Sequence, residues 1–142
     1  GLRYAPIVGE YGLRMGCVPV NSGKRGAGIK KMLGEVASGR QRGGQWIIYP
    51  EGTRVAPGAA HSYKVGTGAL YQQMNQDCVP VAANVGLFWP KRGFMRKPGT
   101  AVVEFLPRIS TGLSKQAFMT QLEHDVETAS DALSVEAGFV KG

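Results

Sequence analysis

Apolar residues along this chain recur in two rhythms. From Ala27 to Ser38, Ile29, Met32, Leu33 and Val36 follow the spacing of one helical face, and Gly39 with the Gly43-Gly44 pair ends that helix. The same rhythm runs longest over about Ser114 to Glu136. There Phe118, Leu122, Val126, Ala129 and Leu133 make one stripe and acids take the other face, which predicts an amphipathic C-terminal helix within 113–142. A shorter helix is predicted over Gly66 to Asn75, with Leu70 and Met74 on one face, and another over Pro6 to Met15, with Pro6 near its first turn and Gly16 at its end. The second rhythm is the compact apolar run. Gln45-Trp46-Ile47-Ile48-Tyr49 predicts a buried strand that Pro50 stops. Cys17-Val18-Pro19-Val20 predicts a short strand, placed near a sheet edge by Pro19. Val79 to Val85 and the β-branched stretch Thr100 to Leu106 predict two more, and 54–62 and 88–98 read as loops.

Strands alternating with helices imply an α/β layered domain with a mainly parallel central sheet flanked by helices. The 142 residues suffice to bury a core. Residues 1–142 read as a single domain, incomplete at its N-terminus because the chain opens on Gly1-Leu2-Arg3 with no cap or signal pattern.

Charge sharpens this picture. The net charge of +7 is unevenly spread: residues 1–54 hold nine Lys/Arg against three acids, 55–112 six against two, and 113–142 two against five. A basic body with an acidic C-terminal helix predicts an anionic partner: a phosphate ligand, an anionic lipid surface or nucleic acid. Hydrophobic content of 43% with 19% charged residues excludes a disordered chain. Two cysteines, Cys17 and Cys78, match no metal or redox spacing and read as buried thiols in a reducing compartment. The most apolar stretch, Cys78 to Trp89, is broken by Pro80, Asn84 and Gly86 and falls short of the ~20 residues that span a bilayer. Membrane contact by this stretch is therefore expected to be peripheral.

The chemistry is concentrated where the 45–49 run ends. Ligands of open α/β sheets bind at the C-terminal edge of the strands, and here Pro50 is followed at once by Glu51-Gly52-Thr53-Arg54. Gly52 admits a positive φ and lets backbone N–H groups approach an anion. Thr53 offers a hydroxyl, and Arg54 a planar fork that takes two phosphate oxygens. Glu51 repels a phosphate, so its expected work is to fix Arg54 or a nearby donor, or to hold the loop through backbone N–H groups. On residue chemistry alone, an ordinary turn with a surface Glu/Arg pair explains the block equally well.

Tyr49-Pro50-Glu51-Gly52-Thr53-Arg54 is similar to the F-P-E-G-T-R block of the 1-acylglycerol-3-phosphate (lysophosphatidate) acyltransferases, with Tyr for Phe. Leu2, Pro6 and Gly9 resemble that family's E-L-x-x-x-P-x-x-G stretch, and Gly16-Cys17-Val18-Pro19-Val20-Asn21 resembles the strand of its second block. Downstream, Tyr63-Lys64-Val65-Gly66 resembles F-K-x-G, and Val79-Pro80-Val81-Ala82-Ala83-Asn84 the fourth block. The likeness covers about residues 2 to 107 in the family's order.

The resemblance implies transfer of a fatty acyl group from acyl-CoA or acyl carrier protein to the free hydroxyl of lysophosphatidate, giving phosphatidate. The expected place is the cytoplasmic face of the cell (inner) membrane, reached by peripheral contact with anionic lipid or through an anchor upstream. No cofactor, metal or nucleic acid is expected. Glu51, Gly52, Thr53 and Arg54 are the implied acceptor-phosphate residues. In the family a His of an H-x-x-x-x-D block is the general base and the Asp orients its imidazole. Neither histidine here starts such a pair, since Gly66 stands five beyond His61 and Ala129 five beyond His124. The catalytic pair is therefore expected upstream of Gly1, and these 142 residues alone are expected to be inactive. The second block's Arg is replaced at Ser22, with Lys24 and Arg25 close behind as substitute cations or as plain surface charge. Lys64 is a further phosphate ligand by resemblance, or a solvated loop lysine.

Other features weigh less. His61 and His124 read as surface or helix-face residues. Trp89 to Lys97 interleaves aromatic and basic side chains, which suits an anionic membrane interface or a packed loop with solvated charges. Gly23-Lys24-Arg25 is no phosphate-binding Walker loop, because Ser or Thr does not follow the lysine. The pI near 9.7 raises a nucleic-acid-binding module as the alternative, but no recognised motif or aromatic stacking strip supports it. A non-catalytic lipid-binding member is the other alternative.

Overall fold

The computed structural model describes Gly28, Lys30, Leu33, Gly34, Ala37, Ser38 and residues 46–89 and 95–139. Two compact units divide the chain, Gly1–Ile47 and Ile48–Gly142. In the first, Gly28, Lys30, Leu33, Gly34 and Ala37 are helical, and the Ser38 N–H donates to the Gly34 carbonyl at 2.9 Å. This matches the helix read over 27–38. The helix expected over 6–15, the strand at 17–20, and Lys24 and Arg25 lie outside the described residues.

Among the described residues the second unit holds three helices and a strand pair. Helix α1 (Val65–Met74) closes on Asn75, whose left-handed backbone (φ 47°, ψ 47°) lets its N–H donate to the Tyr71 carbonyl. Asn is one of the few residues that adopts this conformation readily. The buried side chains of α1 are Thr67, Leu70 and Tyr71, so the core face is turned toward Tyr71 rather than the half-buried Met74. Strand β1 (Val81–Ala83) is followed by a one-turn helix α2 (Val85–Phe88) and strand β2 (Val103–Phe105). Last comes helix α3 (Lys115–Glu136).

Ser114 caps α3, its Oγ accepting from the Ala117 N–H at 3.1 Å, an interaction that contributes about 1 kcal/mol. The predicted stripe faces inward: Phe118, Leu122 and Leu133 are buried, Val126 and Ala129 half-buried. The core joins Tyr63, Tyr71, Ile109, Phe118 and Leu122, with the Tyr71 and Phe118 rings stacked at 3.8 Å between centroids. Helices α1 and α3 meet at Gly68. A Cβ there would stand 2.7 Å from Lys115 Cγ and 3.0 Å from Met119 Cγ, so any larger residue would have to push those side chains of α3 aside.

The sheet departs from expectation. The only strand pair among the described residues is antiparallel, with Val81 opposite Phe105, Ala82 opposite Glu104 and Ala83 opposite Val103. The link between β1 and β2 explains this. A parallel return needs a crossover of roughly a dozen residues carrying a full helix along the sheet, and α2 is only four residues long. Asn84 instead ties the two strands at one end. Its N–H donates to the Val102 carbonyl at 3.3 Å, and its side-chain oxygen accepts from the Val102 N–H at 2.8 Å. At the other end Cys78 and Ile109 exchange both backbone bonds, at 2.9 and 2.8 Å. The expected buried strand at 45–49 is corrected as well. Residues 46–49 form no strand, with Ile47 77% and Tyr49 81% exposed. No described strand pairs with this apolar run. No described helix is long and apolar enough to cross a membrane.

Candidate functional site

Pro50 begins a tight turn. The Gly52 N–H donates to the Tyr49 carbonyl at 3.0 Å, which places Pro50 at the second and Gly52 at the fourth position, both favoured there. Gly52 then takes φ +67°, a left-handed backbone that the next residues depend on to leave the turn. The chain runs out through a second turn, where the Ala59 N–H donates to the Ala56 carbonyl at 3.1 Å across Pro57-Gly58. It returns at Lys64, whose N–H donates to the Pro50 carbonyl at 2.8 Å. Residues 51–64 are thus a loop with its two ends bonded together.

That closure brings part of the expected site into one place. A Cβ at Gly52 would stand 3.1 Å from Lys64 Cγ and 3.6 Å from Cε, so the lysine stem lies along the glycine. Gly52, Thr53, Arg54 and Lys64 are exposed. Lys64 also stands at the N-cap of α1, its carbonyl accepting from the Thr67 N–H at 3.0 Å. Helix N-termini favour anions through their free N–H groups and dipole.

Glu51 is half-buried, and its carboxyl is held above the ordinary value of 4.5. Burial is the first cause and the nearby Glu127 carboxylate the second, while His61 pulls in the opposite direction. The surrounding charges that shift it are thus Glu127 and His61. His61, read as a surface residue, is half-buried instead, and its Nε2 is fully enclosed with no hydrogen-bond partner. It sits on the returning limb of the loop, which folds it inward. His124 is exposed on α3.

Because the folded state holds the Glu51 proton more tightly than the unfolded chain, its contribution to stability is complete below pH 4.5. It declines as pH rises from there through the native value. Glu51→Gln should therefore flatten that decline and leave the protein more stable than its parent near neutrality. Urea midpoints at about pH 4 and pH 7 measure this. A destabilised variant with an unchanged pH slope would contradict it.

Behind the loop lies a contact that sequence reasoning did not find. The Tyr63 hydroxyl donates to Glu127 Oε1 at 2.8 Å, joining the loop to α3 across 64 residues. Burial, this hydrogen bond and the nearby acids raise the Tyr63 phenol well above its usual range. No local signal marks Glu127, which sits among several acids on the helix. Among the described residues no group of three His, Cys, Asp or Glu side chains gathers to hold a metal ion.

With this geometry, comparison with known proteins assigns the class. The acyltransferase family model matches residues 2–84, more than half of the chain, and the chain belongs to that family. A curated relative is the 1-acyl-sn-glycerol-3-phosphate acyltransferase of Pseudomonas aeruginosa, 27% identical over 106 residues, which make up 75% of this chain. The match spans 41% of that relative's length. No solved structure matches.

Proposed function

We propose that this chain is the acceptor-binding part of a glycerolipid O-acyltransferase, which moves a fatty acyl group from acyl-CoA or acyl carrier protein to lysophosphatidate. The junction at Pro50 carries the reading. There Gly52 is left-handed, the Lys64 stem lies along it, and Thr53-Arg54 follow at the surface in the order of the family's phosphate block. The Pseudomonas aeruginosa relative, a 1-acyl-sn-glycerol-3-phosphate acyltransferase, supports the acceptor class. In this reading Gly52, Thr53, Arg54 and Lys64 hold the acceptor phosphate, and Glu51 stands at the third position of the turn that presents them. On the same reading a general base, the part that the resemblance gives to a His-Asp pair, takes the proton from the acceptor hydroxyl as it attacks the thioester carbonyl, and the donor thiol departs. The test is Arg54→Ala in the full-length polypeptide, with Michaelis constants for acceptor and donor measured separately. An equal effect on both, or none, removes the phosphate assignment.

In this reading the reaction takes place at the cytoplasmic face of the membrane, with Trp89 and residues 95–97 in the contact. Trp89 and Met95 are exposed, and the Arg96 guanidinium lies 4.1 Å from the centre of the Trp89 ring. An aromatic ring with a cation over it suits the boundary between headgroups and acyl chains, where each basic side chain is worth about 1 kcal/mol. Sedimentation with vesicles containing phosphatidylglycerol should exceed that with phosphatidylcholine alone. Trp89→Ala with Lys97→Gln should lower it by about tenfold or more. Equal binding to both vesicle types would refute this contact.

A further inference from the structure

We infer that Tyr63 and Glu127 are positioning residues, a latch from α3 that holds the 51–64 loop in the shape that receives the acceptor phosphate. The inference rests on the acceptor-site reading above. It begins with the way the loop is closed. The bond between the Lys64 N–H and the Pro50 carbonyl sets Lys64 beside Gly52, and the residue immediately before it is Tyr63. Tyr63 is 7% exposed, and its ring belongs to the cluster formed with Tyr71, Ile109, Phe118 and Leu122. The backbone that closes the loop is therefore held by a side chain seated in the core.

The hydroxyl adds direction. A tyrosine ring in a core still rotates and slides, but its O–H here is bonded to Glu127 Oε1 at 2.8 Å on a separate element. A hydrogen bond to an ionised acceptor is shorter and stronger than a neutral one. The same carboxylate is near enough to Glu51, at the opposite end of the loop, to add its repulsion to the burial that raises that carboxyl above its ordinary value. One side chain of α3 thus acts on both limbs, bonding one and repelling the other. Glu127 itself is an anion and cannot favour a phosphate, so contact with substrate is not its role. The family match ends at residue 84, which leaves Glu127 beyond it.

The experiment uses the full-length polypeptide and three substitutions. Tyr63→Phe keeps the ring in the core and removes only the hydroxyl, Glu127→Ala removes the acceptor, and Glu127→Gln keeps an acceptor oxygen without the charge. Tyr63→Phe and Glu127→Ala should each raise the Michaelis constant for lysophosphatidate about fivefold and leave that for the acyl donor within about twofold. The double variant should be no worse than Glu127→Ala alone, since that substitution already removes the bond that Tyr63→Phe breaks. Glu127→Gln should restore part of the loss. Hydrogen exchange at the Lys64 amide should accelerate in Tyr63→Phe with the α3 amides unchanged. Equal effects on both substrates, an additive double variant, or unaltered Lys64 exchange would overturn the latch. Arg54→Ala run in parallel separates the two ideas. If it raises the acceptor constant while Tyr63→Phe does not, the latch alone fails. If Arg54→Ala has no effect, the phosphate reading fails, and the exchange measurement still judges the latch.

Discussion

Arg54→Ala in the full-length polypeptide is expected to raise the Michaelis constant for lysophosphatidate by roughly 10-fold to 100-fold, with the acyl-donor constant within about twofold of its original value. A guanidinium takes two phosphate oxygens through parallel charge-assisted bonds, each contributing on the order of 1.5–3 kcal/mol where water is excluded. Arg54 is exposed, so screening by water and salt reduces that sum, and the lower end corresponds to one bond surviving the discount. The selectivity for one substrate decides the matter. A loop that merely collapsed would disturb the donor as well. Arg54→Lys retains the charge but loses the fork and should fall between the two, because lysine meets a phosphate as a point charge.

Phe118→Ala should be the most damaging core substitution, destabilising the fold by about 3–5 kcal/mol. Phe118 is 1% exposed, and its ring lies flat against Tyr71 at 3.8 Å. Its removal opens a cavity where α1 meets α3 and also ends the ring stacking, itself worth about 0.5–1.5 kcal/mol. Against a total stability of about 5–15 kcal/mol for a domain, this is a large fraction. Urea denaturation followed by circular dichroism measures it as a lowered midpoint with little change in slope. A loss below about 1 kcal/mol would mean that Phe118 does not anchor this core.

These two residues were not equally legible in the sequence. The stripe of α3 is a local periodic signal, and Phe118 and Leu133 face inward as their spacing requires. The partner of Phe118 was not legible, since Tyr71 lies on a helix whose own apolar pattern pointed to Leu70 and Met74. The turn at 49–52 was legible because it is local: Pro50 and Gly52 dictate it within four residues. The latch on that block was hidden, because Tyr63 and Glu127 are 64 residues apart and neither belongs to a pattern. The run at 45–49 misled for a related reason. Consecutive apolar residues signal a need for cover without naming what supplies it. The sheet direction depended on the connection 84–102, which composition presents as part strand and part loop.

Asn84 carries a consequence for how the second unit comes apart. Its amide is buried, spans the two strands through Val102, and donates from Nδ2 to the Leu133 carbonyl near the end of α3 at 3.3 Å. An orphaned buried amide is unfavourable by about 1–3 kcal/mol. Fraying of the last helical turn therefore weakens the strand pair, and separation of the strands weakens the helix end. Two elements that unzip independently in many small domains are coupled here through one side chain, so their loss should be a single cooperative event rather than two gradual ones.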